Sequence, residues 1–135
     1  MLTSNTRFNT LASNERIARV VPALEANNLA AVVVETGEQA YHYVLDLLPK
    51  GATIFTGNSR TLETIGLTSE IEQSSHFQAV RPRLLALRSQ GQVREMRKLG
   101  ASPDVVTGSV HAVTEQGQVL IASGTGSQLA SYVYG

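Results

Sequence analysis

Two short apolar runs, each followed by an amphipathic stretch, decide the fold class of this chain. The first, "LAAVVVE" (residues 29–35), is continuous and holds three valines. Such a run suits a strand buried on both faces of a parallel sheet. Thr36 and Gly37 then turn the chain, and "EQAYHYVLDLL" sets Ala40, Val44, Leu47 and Leu48 on one face of a helix that Pro49-Lys50-Gly51 ends. The second run, "ATIFTG" (52–57), reads as another strand. It passes into "NSRTLETIG", a loop with a helix beginning near Thr61. This βαβα alternation implies an α/β protein with a parallel sheet and helices packed on it.

The remaining segments fit around that alternation. Residues 1–13 read as frayed. Asn14 caps a helix over "ERIARVVPALEANN", with Ile17, Val20, Val21 and Leu24 at helical spacing and Asn27-Asn28 as its stop. Pro22 inside it predicts a kink or a break. Ser69 to Phe77 holds a further short helix. Residues 83–99 read as one basic helix with Leu84, Leu87, Met96 and Leu99 toward the core, weakened by Gly91, and 101–104 is a linker turn. "VVTGSVHAVTEQGQVLIAS" gives two β-rich runs with a tight hairpin turn at Gln116-Gly117. "GTGSQLASYVYG" is a glycine loop with a short helical or irregular end. No repeat or interdomain linker interrupts the 135 residues, and that length favours a single domain over 1–135.

Composition removes several function classes. The chain has no cysteine, so it carries neither disulfides nor cysteine-held iron–sulfur clusters. Its three histidines are dispersed and form no metal site by spacing. No run approaches the ~20 apolar residues of a membrane span, and the polar N-terminus lacks a signal-peptide core, so a soluble, cytoplasmic protein is expected. A formal net charge of zero argues against a general nucleic-acid binder. The charge is uneven: residues 81–98 hold six basic groups (Arg81, Arg83, Arg88, Arg94, Arg97, Lys98) and one acid, Glu95. That stretch is either a solvated helix face or a docking patch for an acidic partner or anionic substrate.

Three places could carry chemistry. In "TGNSRTLETIG", Gly57 allows close backbone approach, Asn58, Ser59 and Thr61 donate hydrogen bonds, and Arg60 can fork onto a carboxylate or phosphate. The same residues also read as ordinary helix capping by Ser59 or Thr61, with Glu63 in the first turn. In "SGTGSQ", Ser123, Gly124, Thr125, Gly126 and Ser127 could cradle an anion or form a plain turn; GxGxxG is only half met, since Leu129 stands at the third glycine. In the hairpin, His111 and Glu115 are four apart and share a face on a regular strand, where a carboxylate beside an imidazole could exchange protons or be merely structural.

"GNSRTLETIG", then "TGSVHAVTEQG", then "ASGTGSQL" resemble, in that order, the LUD domain family of the lactate-utilisation protein C type. The resemblance runs from about Asn14 to the last residue and is weakest over 68–98. It implies a Rossmann-like layered sheet with helices on both faces, similar to the NagB/RpiA/CoA-transferase-like fold. It also implies a role in oxidising L-lactate to pyruvate beside separate iron–sulfur protein subunits, this chain being the cluster-free one. Thr107 and Gly108, which open the second matching segment, join the ligand-binding candidates. CoA transferases of that fold group use a glutamate nucleophile near a glycine, and Glu115 in "TEQG" resembles that placement. Family members continue past the "YVYG" segment with another strand and helix, so a fragment or a short variant is expected, with an open sheet edge that invites a homo-oligomer.

Three functions follow. One is a lactate-utilisation subunit or accessory protein whose loops receive a small carboxylate or a phosphate-bearing ligand, with Arg60 as charge partner and His111 and Glu115 handling protons. Another is a stand-alone isomerase or CoA-transferase-like enzyme acting through Glu115. The last is a structural assembly module docking through 81–98. Nothing in the sequence identifies a cofactor.

Overall fold

A computed structural model describes residues 10–124, 126 and 129–134. The expected fraying of 1–13 falls mostly on residues 1–9, outside that set. The elements are α1 (Asn14–Ala26), α2 (Gly37–Leu47), β1 (Thr53–Thr56), α3 (Arg60–Thr64), α4 (Leu67–Gln73), β2 (Gln78–Ala79), α5 (Val80–Ser89), α6 (Val93–Ala101), β3 (Val105–Thr107), β4 (Ala112–Val113), β5 (Val119–Leu120) and α7 (Leu129–Tyr134). They form two compact units, one of Met1–Val33 with His111–Leu120, the other of Val34–Val110 with Ile121–Gly135.

In the first unit, α1 starts at Ser13, whose Oγ accepts from the Arg16 N–H at 3.4 Å. Ser13, not Asn14, is therefore the cap. The helix runs through Pro22 without the expected break. Pro22 cannot donate to the Ala18 carbonyl, but both residues are exposed, so leaving that oxygen to solvent costs little. Asn28, at φ 60°, ends the helix. Its N–H donates to Glu25 O and that of Leu29 to Leu24 O, which caps the last carbonyls in a Schellman arrangement. β4 and β5 pair antiparallel, Ala112 opposite Leu120 and Val113 opposite Val119. Their turn is one residue longer than the sequence suggests: Thr114 N–H donates to Gln118 O, enclosing Glu115-Gln116-Gly117, with Gly117 at φ 76°.

"LAAVVVE" is not a strand. Residues 29–34 lie in no helix or ladder, and Val32 and Val33 are 58% and 53% exposed. Apolar composition supplies a strand's side chains but not its hydrogen-bond partners, and no strand among the described residues pairs with this segment.

The second unit holds a parallel three-stranded sheet flanked by helices, in the order β2-β1-β3, as expected for a Rossmann-like α/β protein. Thr53 and Ile54 lie opposite Gln78 and Ala79, and Ile54, Phe55 and Thr56 lie opposite Val105, Val106 and Thr107. The core gathers Leu48, Ala52, Ile54, Leu62, Leu67 and Ile71. On α2 the packed stripe is Tyr41, Val44 and Leu45, leading to Leu48, the i, i+3, i+4, i+7 pattern of one helix face. Leu47, expected in that stripe, is exposed.

The basic stretch is two helices rather than one. Gly91, at φ 69°, separates α5 from α6. The leucines still face inward: Leu84, Leu87, Met96 and Leu99 are half-buried, and Leu84 Cδ2 lies 3.7 Å from where a Cβ on Gly100 would stand. The run "VVTGSVHAV" is likewise split, its first three residues entering the parallel sheet and its end forming β4. The short strand β2 carried no readable signal. No helix among the described residues is long and apolar enough to cross a membrane.

Candidate functional site at the carboxyl ends of β1 and β3

Register at the far end of the sheet sets the geometry at the near end. Asp104 Oδ2 accepts from Thr53 N–H at 2.8 Å and from Thr53 Oγ1 at 2.6 Å. The Asp104 N–H donates to Thr53 O at 3.0 Å. Hydrogen bonding from the Thr53 hydroxyl, then from its backbone, holds the Asp104 carboxyl below its ordinary range. The sequence flagged Asp104 only as part of a turn. It fastens the amino ends of β1 and β3, so Thr56 and Thr107 come out side by side at the carboxyl ends.

There Thr107 Oγ1 donates to Thr56 Oγ1 at 3.3 Å and the Gly57 N–H donates to Thr107 O at 2.8 Å. Thr56, Ser59 and Thr107 are buried polar residues. The Ser59 Oγ accepts from Leu62 N–H at 3.2 Å and caps the five-residue α3. Of the two capping candidates it is thus Ser59, not Thr61, that caps. Asn58, Arg60 and Thr61 are exposed. The Arg60 side chain makes no ion pair or hydrogen bond among the described residues. Gly108 follows β3, and a Cβ there would collide with the Tyr132 hydroxyl, which donates to Ser109 O at 3.4 Å. Tyr132 on α7 is therefore a neighbour of this segment that sequence spacing did not show.

The structure thus brings Thr56 and Gly57 against Thr107, with Asn58, Ser59, Arg60, Thr61 and Gly108 next to them in the chain. Ser123, Gly124 and Gly126 belong to the same compact unit. Ser123 is half-buried, and Gly124 and Gly126 are exposed. Thr125 and Ser127 lie outside the described residues.

His111 and Glu115 belong to the other unit, and the regular strand that would align them is absent: β4 is only Ala112–Val113, and Glu115 stands in the turn. The Glu115 carboxylate is held by Arg16 Nε at 2.7 Å and Arg19 Nη2 at 3.4 Å. The Arg16 hydrogen bond, then the Arg19 charge, holds its carboxyl below the usual glutamate range. These arginines are 99 and 96 residues away in sequence, so spacing gave no hint of them. Asn27 Nδ2 adds bonds of 3.0 Å to the carbonyls of Gln116 and Gly117. A cavity of about 400 Å³, walled by Ile17, Val20, Val21, Leu24 and Val113, opens beside the Arg16–Glu115 pair.

A depressed folded-state pKa adds stability above the ordinary glutamate value and loses it as pH falls through the depressed one. The hairpin's attachment to α1 is therefore expected to weaken on acidification through that lower value. Comparing melting temperature against pH for wild type and Glu115→Gln checks this: the gap between them narrows toward acid. A gap independent of pH would mean that the ion pairs do not hold the hairpin.

The parallel sheet of order 2-1-3 sets glycine and hydroxyl residues at the carboxyl ends of its first and third strands, an α/β arrangement of the Rossmann-like kind. The chain matches the family model described as LUD domain over residues 17–135 and belongs to that family. Neither a comparison with curated proteins nor one with solved structures finds a match.

Proposed function

We propose that this chain is a cluster-free subunit or accessory protein of L-lactate utilisation that binds a small carboxylate or a phosphate-bearing ligand at the carboxyl ends of β1 and β3. Membership of the LUD family supports the pathway. The observation that carries the site is the strand order. With order 2-1-3, the crevice outside the carboxyl ends of β1 and β3 is where open α/β sheets collect ligands. Gly57–Thr61 and Thr107–Gly108 follow β1 and β3 in the chain, and the exposed Arg60 side chain, without an ion pair among the described residues, is in this reading the charge partner. A guanidinium grips carboxylates and phosphates through two parallel hydrogen bonds. In this reading Ser123 to Ser127 completes the anion cradle, iron–sulfur protein subunits accept the electrons, and the compartment is the cytoplasm.

A thermal-shift screen against lactate, pyruvate, sugar phosphates and CoA esters tests it, because a ligand that binds only the folded state raises the melting temperature. A selective rise with a small carboxylate supports the reading. A rise only with CoA esters, together with a covalent adduct at Glu115, would favour the stand-alone transferase. Against that enzyme stands the ion-paired state of Glu115.

The assembly reading has an observation of its own. Arg83, Arg88, Arg94 and Arg97 on α5 and α6 have no anionic partner among the described residues, whereas Arg81 faces Glu72 and Lys98 faces Glu95. An acidic partner subunit would dock there, and added salt would weaken the docking.

A further inference from the structure

Tyr132 has no part in the site described so far, yet its hydroxyl lies against Gly108, the residue that follows β3. A Cβ on Gly108 would overlap that oxygen and stand 3.1 Å from Tyr132 Cζ. Gly108 is not one of the glycines with positive φ, which among the described residues are Gly51, Gly66, Gly91, Gly117 and Gly126. Backbone conformation therefore does not call for glycine at this position. Space does: the absent side chain admits the tyrosine hydroxyl to the strand end. Tyr132, Gly108 and the paired strands β1 and β3 all belong to the same compact unit. One residue back, Thr107 accepts the Gly57 N–H on its carbonyl at 2.8 Å and donates its hydroxyl to Thr56 Oγ1 at 3.3 Å. The phenol thus stands beside the polar groups gathered at the carboxyl ends of β1 and β3.

The protein itself uses this hydroxyl poorly. It donates to Ser109 O at 3.4 Å, beyond the roughly 2.5–3.0 Å usual for an O–H···O bond. Tyr132 is half-buried, and a buried phenol ordinarily finds a good partner. We infer that the Tyr132 hydroxyl contacts the ligand at the carboxyl ends of β1 and β3, donating a hydrogen bond to a small carboxylate. The inference rests on the site proposed above and extends it to a residue of α7. A carboxylate oxygen competes well for this proton, because charge-assisted hydrogen bonds are about twice as strong as neutral ones. The long bond to Ser109 O is exchanged for a shorter one when the ligand binds.

Calorimetric titration of wild type, Tyr132→Phe, Gly108→Ala and Arg60→Ala with pyruvate and with L-lactate tests it. Phenylalanine keeps the ring and removes only the hydroxyl. Tyr132→Phe should therefore keep the wild-type melting temperature and bind the acid about tenfold more weakly. Gly108→Ala forces the hydroxyl off the strand end and should weaken binding likewise. In ring-labelled wild type, the Tyr132 Cζ resonance, assigned by its loss in Tyr132→Phe, should move when the acid is added. A tyrosine that only packs would leave both the affinity and that resonance unmoved. Wild-type affinity in Tyr132→Phe or in Gly108→Ala, with weakened binding in Arg60→Ala, would overturn the role of Tyr132 and leave the site standing. Wild-type affinity in every variant, or no binding of either acid by wild type, would overturn the site and this inference together.

Discussion

Ile54→Ala is expected to lower the unfolding free energy of the sheet-bearing unit by about 2–5 kcal/mol. Ile54 is fully buried, sits in the central strand between Ala79 and Val105, and packs within the cluster of Leu48, Leu62, Leu67 and Ile71. Alanine removes three carbons and leaves a cavity that strand hydrogen bonding on both sides prevents from collapsing. A domain has only about 5–15 kcal/mol in total, so the loss is a large share of it. Denaturant unfolding with an unchanged slope and a lower midpoint is the expected readout. An unchanged midpoint would mean that the core does not lie at β1.

Gly117→Ala should have an effect of similar size on the other unit. Gly117 is buried at φ 76°, and a Cβ there would overlap the Ala23 carbonyl and stand 2.7 Å from Leu24 N. Left-handed backbone costs a non-glycine residue about 1–2 kcal/mol, and overpacking adds about 1–3 kcal/mol. The obstacle is helix backbone, which cannot move aside as a flexible side chain would. The hairpin must therefore draw away from α1, giving up the Asn27 bonds to Gln116 and Gly117 and the arginine grip on Glu115. Faster amide exchange at Thr114 and Gln118, with the sheet amides unaffected, is the expected signature. Unchanged exchange would show that the hairpin does not depend on this close approach.

These two substitutions mark what the sequence could and could not reveal. "ATIFTG" was readable as a strand because its alternating burial is local and its partners supply the ladder. The capping at Ser59 was readable because a cap involves only neighbours in the chain. "LAAVVVE" has the same kind of composition, but strand formation depends on a partner backbone that composition does not encode. Gly91 announced a weak point in the basic helix, yet only its left-handed φ turns that weakness into a separation of α5 from α6. At the sites, Gly57–Thr61 stood out because glycine, hydroxyls and arginine are contiguous after a strand. Its juxtaposition with Thr107 depends on the pairing of β1 with β3, across 51 residues. The Arg16 and Arg19 partners of Glu115 were hidden for the same reason, and the pairing of His111 with Glu115 assumed a regular strand that the turn replaces.

The most direct measurement of the proposed function is a calorimetric titration of wild type and Arg60→Ala with the small carboxylate that the screen selects. Arg60 is exposed and unengaged among the described residues, so its loss should leave the melting temperature of the free protein unchanged. A hydrogen bond to a charged group contributes about 1.5–3 kcal/mol, so binding should weaken by about ten- to a hundredfold. Equal affinity in both proteins would contradict a ligand site at the carboxyl ends of β1 and β3 with Arg60 as its charge partner.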